Sequence, residues 1–230
     1  LPIIFYFTAM KRTWLYLICL LAFLPAARAQ LFFETFTSSN GLSGNEVLCV
    51  YEDHEHFIWV GTRDGLNRFD GRRFEVFRNN PGDTNSLSGN TIIDLVQDSS
   101  GVFWIATKDG GLTRYDPQAP AGKQFRQFRH NPHDKNSIAT NRLNCLYDWD
   151  SDYLLIGAEV YPGIFLNKKD FTFSYWPVSS GYLHPSKALP LPSTDATWIH
   201  HIEGVGNKVY VSTLTLGYLF SADKLTGIIT

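Results

Sequence analysis

The stretch Asn85–Asp116, NSLSGNTIIDLVQDSSGVFWIATKDGGLTRYD, decides how the rest of the chain is interpreted. Its middle, Thr91–Asp98, mixes β-branched and apolar residues and ends in a Ser-Ser-Gly turn. A second apolar run, Val102–Thr107, leads into an Asp-Gly turn. Short apolar runs joined by such turns are typical of antiparallel strands. One copy predicts only a hairpin, so the fold depends on whether the pattern recurs.

The pattern recurs along the chain. An earlier copy lies 45 positions upstream, and its identical pairs are Leu42/Leu87, Ser43/Ser88, Asn45/Asn90, Asp53/Asp98, Trp59/Trp104 and Thr62/Thr107. A third copy follows 51 positions downstream, where Ile138, Asn141 and Leu155 stand in for Leu87, Asn90 and Trp104. A weaker fourth copy has Val209–Thr213 in the place of the Trp-containing strand.

Repeats of this length made of short strands predict an all-β fold, a β-propeller of four-stranded blades. The first blade is predicted to consist of Val47–Glu52, Phe57–Thr62, Leu66–Phe69 and Phe74–Phe77. The second strand of each copy carries a small residue, namely Gly61, Ala106, Gly157 or Ser212. We expect this residue to let blades pack closely, while the Trp two positions earlier fills the wedge between them. About four blades are visible, and we expect them to be part of a larger, truncated ring. A β-sandwich with accidental similarity is the alternative.

The first 29 residues have the pattern of a secretory signal peptide. Lys11 and Arg12 precede an apolar run, Trp14–Leu24, and an Ala-Arg-Ala site follows at residues 27–29. The predicted organisation is a signal peptide at 1–29 and the N-terminal part of a β-propeller domain at 30–230. Met10 is a natural start, so residues 1–9 can be upstream translation. A membrane anchor is the alternative reading of the apolar run.

Charge and cysteine content exclude some classes. Removing residues 1–29 takes three of the 20 basic residues and none of the 22 acidic ones, which leaves a net charge of −5 with neutral His. The missing basic footprint counts against a nucleic-acid partner. Cys49 and Cys145 fall on the same repeat position as Asp94 and in blades that are not neighbours, so we expect two buried free thiols.

The repeated segments resemble the two-component regulator propeller repeat. The similarity is carried by Leu87-Ser88-x-Asn90, Asp98-x-x-Gly101-x-x-Trp104-Ile105-x-Thr107 and Gly110-Gly111-Leu112-x-Arg114-Tyr115-Asp116, and it covers roughly Leu31 to Ser221. That family forms the periplasmic sensor region of hybrid histidine kinases, common in Bacteroidetes. The resemblance implies that the visible blades are truncated from a ring of about seven. It also implies an exported, inner-membrane-anchored homodimer that detects a small molecule or oligosaccharide and controls transcription. The membrane helix and the kinase and regulator domains that it implies would lie downstream.

One segment breaks the repeat and is a candidate for the ligand site. Residues 177–197 contain four prolines and no strand period, and long loops on a rigid scaffold often carry binding residues. The aromatic and polar candidates in and beside this segment are Trp176, Tyr182, His184 and Trp198. Tyr161, where blade three departs from the Asp-Gly turn, is a separate candidate. A surface cover over blades three and four is the alternative.

No catalytic constellation, cofactor motif or metal cluster is recognised in the sequence. His200 and His201 should face opposite sides of a strand, which disfavours one shared metal. The repeated acids Asp53, Asp64, Asp70, Asp98, Asp109 and Asp116 are predicted to stabilise turns. An exported glycan lyase or hydrolase, with Asp94 on an inner strand, is the competing hypothesis. A protein-binding scaffold is the third.

Overall fold

The computed structural model describes residues 33–159, 161, 163–176, 183, 185, 199–213, 219–226 and 228–229. Within these ranges the chain forms four antiparallel sheets, three of four strands and one of three. The strands are β1 Val47–Glu52, β2 Ile58–Thr62, β3 Gly65–Phe69, β4 Phe74–Phe77, β5 Ile92–Gln97, β6 Phe103–Thr107, β7 Gly111–Tyr115, β8 Phe125–Phe128, β9 Leu143–Asp148, β10 Tyr153–Ala158, β11 Ile164–Asn167, β12 Phe173–Tyr175, β13 Ile199–Val205, β14 Lys208–Thr213 and β15 Leu219–Asp223.

Each sheet is one blade, and the strands of a blade pair in chain order. Blade 1 is β1–β4, blade 2 is β5–β8, blade 3 is β9–β12 and blade 4 is β13–β15. The first strands of successive blades lie next to each other, β1 beside β5, β5 beside β9 and β9 beside β13. This is the arrangement of a propeller, with the first strands around the axis. The predicted all-β propeller and the four strands of blade 1 are confirmed, with strand ends shifted by one residue at most.

The small residue of the second strand lies where two blades approach most closely. A Cβ atom on Gly157 would lie 2.4 Å from Cys145 Sγ and 2.9 Å from Ile199 Cγ2 in the next blade. The same atom on Gly61 would lie 2.9 Å from Ile92 Cγ2 in blade 2. Real Cβ atoms are not found at such distances, so the predicted reason for a small residue here is confirmed.

Tryptophan fills the wedge between blades, as predicted. Trp59 is buried, and its ring centroid lies 4.6 Å from that of Phe103 and 6.1 Å from that of Tyr115 in blade 2. Its indole Nε1 donates a 2.7 Å hydrogen bond to the Asp53 carboxylate. Trp104 donates the equivalent bond to Asp98 at 2.8 Å. The Asp therefore satisfies a buried indole N–H as well as the turn that it begins.

The connections between blades share one hydrogen-bond pattern, as their similar sequences predict. The Asn90 side-chain oxygen accepts from the Asn79 amide at 2.7 Å, and Asn141 accepts from the His130 amide at the same distance. Ser86 Oγ accepts from the Asn80 amide at 3.0 Å, and the equivalent Ser137 from the Asn131 amide at 2.9 Å. Local side-chain-to-backbone bonds thus determine the course of both loops.

The two described cysteines are free thiols on the inner strands of blades 1 and 3. Cys145 is buried as predicted, whereas Cys49 is only partly buried. The predicted signal peptide at 1–29 lies outside the described residues and stays a prediction. Across the described ranges no helix is long and apolar enough to span a membrane.

Candidate ligand-binding face

A bulge in the first strand of every blade shapes the axis. The pairing register shifts between Val47 and Cys49, and it shifts again at the equivalent places Ile92/Asp94, Leu143/Cys145 and Ile199/His201. Bulges re-aim side chains, and they are frequent beside functional sites. The sequence alignment identified three members of this axial position, Cys49, Asp94 and Cys145, and the structure adds His201 as the fourth.

An axial cavity of about 480 Å³ lies against these strands and is lined by residues of all four blades. Asp94 lies in this cavity, half-buried, and its carboxylate accepts hydrogen bonds from the amides of Leu95 at 2.9 Å and Leu146 at 2.7 Å. The second bond ties blade 2 to the inner strand of blade 3. Burial raises the pKa of Asp94 to about 6, against the lowering effect of the two amides.

The two thiols of the axial cavity are poor nucleophiles near neutral pH. Burial raises the pKa of Cys49 to about 12, and it raises that of Cys145 far above the usual range. Because the thiolate is the nucleophile and the metal ligand, thiols with such pKa values are unreactive near neutral pH.

The two histidines of β13 do not separate as the sequence predicted. Alternation along a regular strand would turn His200 and His201 to opposite faces, but both line the axial cavity. The reason is the register shift between Ile199 and His201, which interrupts the alternation. Even so, no group of three or more metal-ligating side chains is arranged for an ion among the residues that the structure describes.

A second cavity lies at the junction of blades 2 and 3, beside the turn between β6 and β7. We call it the junction groove; it has a volume of about 450 Å³ and is lined by Asp109, His130, Ala139, Thr140, Asn141, Arg142 and Tyr161. Arg142 Nε lies 3.9 Å from Asp109 Oδ1, and its Nη1 lies 3.3 Å from Glu159 Oε2. Because Glu159 lines the axial cavity, the Arg142–Glu159 ion pair joins a residue of each cavity.

Near the axis, blades 1 to 3 share one backbone hydrogen bond, but the side chains of the two bonded residues carry different charges in each blade. The amides of Arg63, Lys108 and Glu159 donate to the carbonyls of Glu46, Thr91 and Arg142, respectively. In blade 1 the pair is ionic, with Arg63 Nε 2.5 Å from Glu46 Oε2. Blade 3 reverses the two signs. In blade 2 Thr91 replaces the charged partner, and Lys108 has no ion pair within the described part of the chain.

The predicted site residues have different locations. Tyr161 is half-buried in the junction groove. Trp176 is 1% exposed, and its ring meets Phe220 of blade 4 edge-on with centroids 6.3 Å apart. Since it fills the space between blades 3 and 4, its ring faces belong to the core and do not form an open stacking platform. Tyr182, His184 and Trp198 lie outside the described residues.

Sequence reasoning missed Asp109, Arg142 and Glu159. The recurrence of Asp109 with Asp64 predicts a turn residue. Asp53, Asp70, Asp98 and Asp116 do accept turn amides, which confirms that role for them. Beside Asp64 and Asp109, however, the turn amides bond to the hydroxyls of Thr62 and Thr107. One sequence signal could have pointed to Arg142 and Glu159. In blade 1 the acid precedes the base, as Glu46 and Arg63, whereas in blade 3 the base precedes the acid, as Arg142 and Glu159.

Comparison with known proteins finds the repeats of one family in this chain. Residues 41–64 and 86–109 match the family model described as two component regulator propeller. Histidine kinase P4 of Formosa agariphila is 47% identical over 60 residues, which are 26% of this chain and 4% of that relative.

Solved structures agree on the fold. An extracellular domain assigned to the hybrid two component system BT3049 of B. thetaiotaomicron has a TM-score of 0.66 at 23% identity, with 86% of this chain and 26% of that chain covered. The extracellular domain of BT4673 of the same organism, assigned to a one component system, has a TM-score of 0.54 at 18% identity, with 87% and 31% covered. This chain thus spans under a third of these neighbours, and at such identities the likeness shows the fold alone.

Proposed function

We propose, on the premise that this chain carries two component regulator propeller repeats at residues 41–64 and 86–109, that it is the ligand-sensing part of a hybrid two component sensor histidine kinase. The single observation that carries the proposal is this repeat match. It is supported by the 47% identity to Histidine kinase P4 and by the fold shared with extracellular sensor domains. The chain is not the enzyme in this proposal, because phosphoryl transfer belongs to a kinase domain elsewhere in the whole protein.

In this proposal, residues 1–29 export the chain and residues 30–230 form part of a periplasmic sensor. The ligand is an oligosaccharide. Its binding favours one arrangement of a sensor homodimer, and the change in kinase activity across the membrane alters transcription. A ligand can shift such an equilibrium only by its difference in affinity for the two arrangements. The face that carries the axial cavity and the junction groove is the surface that we assign to the ligand.

Calorimetric titration tests the proposal directly. The complete sensor region is titrated with a panel of oligosaccharides from plant, algal and host polysaccharides, with a phosphorylation assay of the intact kinase in parallel. We expect one glycan class to bind and to change autophosphorylation. Silence across the panel, with the protein shown to be folded, would refute oligosaccharide sensing.

A second candidate, an exported enzyme that acts on glycans, is favoured by one observation. Asp94 has a pKa near 6 and lies in a cavity, which suits a general acid or base. Both of its oxygens accept backbone amides, however, which supports a role in joining blades 2 and 3. Turnover of a polysaccharide by the complete protein, lost in Asp94→Asn, would favour this candidate over the sensor.

A further inference from the structure

Two equivalent turn acids, Asp64 and Asp109, have different partners. In blade 1 the Arg78 guanidinium holds Asp64, with Nη2 3.0 Å from the carboxylate and Nε 3.0 Å from the Asp64 carbonyl oxygen. The equivalent arginine of blade 2, Arg129, instead donates to the Ser88 carbonyl and to the Gln127 side chain. The carboxylate of Asp109 is therefore released from the contact that its repeat position predicts.

The released carboxylate faces another cation across the blade junction. Asp109 and Arg142 are 71% and 64% exposed, and their nearest charged atoms are 3.9 Å apart. That separation is too long for a direct hydrogen bond, and an exposed pair of this kind contributes little to stability. The two groups thus present hydrogen-bond acceptors and donors side by side, and some of these remain available to a ligand.

The chemistry of the junction groove selects a class of ligand. A vicinal diol donates and accepts at adjacent hydroxyls, so it matches a carboxylate and a guanidinium about 4 Å apart. Arg142 is shared between the carboxylates of Asp109 and Glu159, so the three side chains together carry a net negative charge, which disfavours an anionic ligand. Tyr161 adds a half-buried aromatic ring to the same groove, and such a ring can cover the apolar C–H face of a pyranose.

We propose that the junction groove binds one neutral pyranose ring, with Asp109 and Arg142 bonded to adjacent hydroxyls and Tyr161 packed against the ring face. The proposal rests on the proposed function in one respect, since the ring belongs to the oligosaccharide that the sensor detects. It goes further by locating the contact in the groove between blades 2 and 3. The axial cavity is then a neighbouring space, linked to the groove through the Arg142–Glu159 ion pair.

The test compares variants of the complete sensor region against stated probes. Cellotetraose, mannotetraose, laminaritetraose and agarotetraose represent neutral glycans, and tetragalacturonate represents acidic ones. Binding is measured by calorimetry in the wild type and in Asp109→Asn, Tyr161→Ala and Tyr161→Phe. Asp64→Asn is the matched control, because it makes the same change at the equivalent turn of blade 1. Thermal melts establish that each variant is folded.

We expect at least one neutral tetramer to bind the wild type. Asp109→Asn should weaken it roughly tenfold or more, since a hydrogen bond to a charged group is lost. Tyr161→Ala should weaken binding comparably, Tyr161→Phe should retain most of it, and Asp64→Asn should stay within about twofold of the wild type.

The alternative outcomes separate the two proposals. If a neutral tetramer binds but Asp109→Asn and Tyr161→Ala bind it as tightly as Asp64→Asn does, the groove is not the site and sensing of oligosaccharides stands. If tetragalacturonate alone binds, the neutral class is wrong while a saccharide sensor remains. If no saccharide binds the folded protein, both proposals are overturned.

Discussion

Replacement of Asp94 by asparagine should change how the stability of this propeller depends on pH. Burial raises the pKa of Asp94 from 3.8 to about 6 in the folded chain. Two pKa units correspond to about 3 kcal/mol, which is an upper bound because the side chain keeps some contact with solvent. The raised pKa means that the folded state binds the proton more tightly than the unfolded state does. This contribution to stability is therefore fully present below pH 4 and is lost as the pH rises to about 6.

The assay is urea unfolding, followed by tryptophan fluorescence, at half-unit steps from pH 4 to pH 7.5. Asp94→Asn carries no titrating group at this position, so its stability relative to the wild type should improve by up to about 3 kcal/mol across that range. The carboxylate of Asp148, whose pKa is also raised by burial, is present in both proteins and cancels in the difference. Parallel profiles for wild type and variant would show that the folded protein does not raise this pKa and would refute the reasoning.

Three further predictions address blade packing and the thiols. Gly157→Ala places a Cβ 2.4 Å from Cys145 Sγ, so it should lower the free energy of unfolding in urea by about 1–3 kcal/mol. A second substitution, Cys145→Ala, should recover part of the loss. If Gly157→Ala alone is neutral, the blades are not closely packed at this position. Asp98→Ala leaves the buried indole N–H of Trp104 without its acceptor, so it should lower the free energy of unfolding in urea by about 1–3 kcal/mol. An unchanged midpoint would mean that the Asp98–Trp104 hydrogen bond adds no stability. Burial keeps the thiols of Cys49 and Cys145 protonated. A thiol reagent at pH 8 should therefore label both cysteines far more slowly in the folded protein than in the urea-unfolded protein. Equal labelling rates would contradict the raised pKa values.

Much of the fold could be predicted because it depends on local rules repeated at a constant spacing. The positions shared by Trp59 and Trp104 and by Gly61 and Ala106 recur with the blade, since every blade must solve the same packing problem against the next. Short apolar runs bounded by turn residues then located the four strands of blade 1 to within one residue. A repeated residue is thereby explained by packing or by a turn before any ligand is considered.

The candidate site was less accessible to sequence reasoning because it depends on departures from the repeat. Asp64 and Asp109 occupy the same position in similar turns, yet only the structure shows that Arg78 binds the first and that Arg129 turns away from the second. The axial position behaves in the same way, since a bulge turns both His200 and His201 to one cavity against the ordinary alternation of a strand.

The sequence by itself determined the propeller architecture, the blade boundaries and the family resemblance, all from the spacing that begins in Asn85–Asp116. Only the tertiary structure decided which of the repeated charged side chains lack the partner seen in other blades. The physical reason is that strand pairing and turn chemistry are local, whereas the partner of a charged side chain depends on which blade lies opposite it. Asp109 is the clearest case, because its carboxylate faces Arg142, a residue 33 positions away that only the packing of blade 3 on blade 2 brings near.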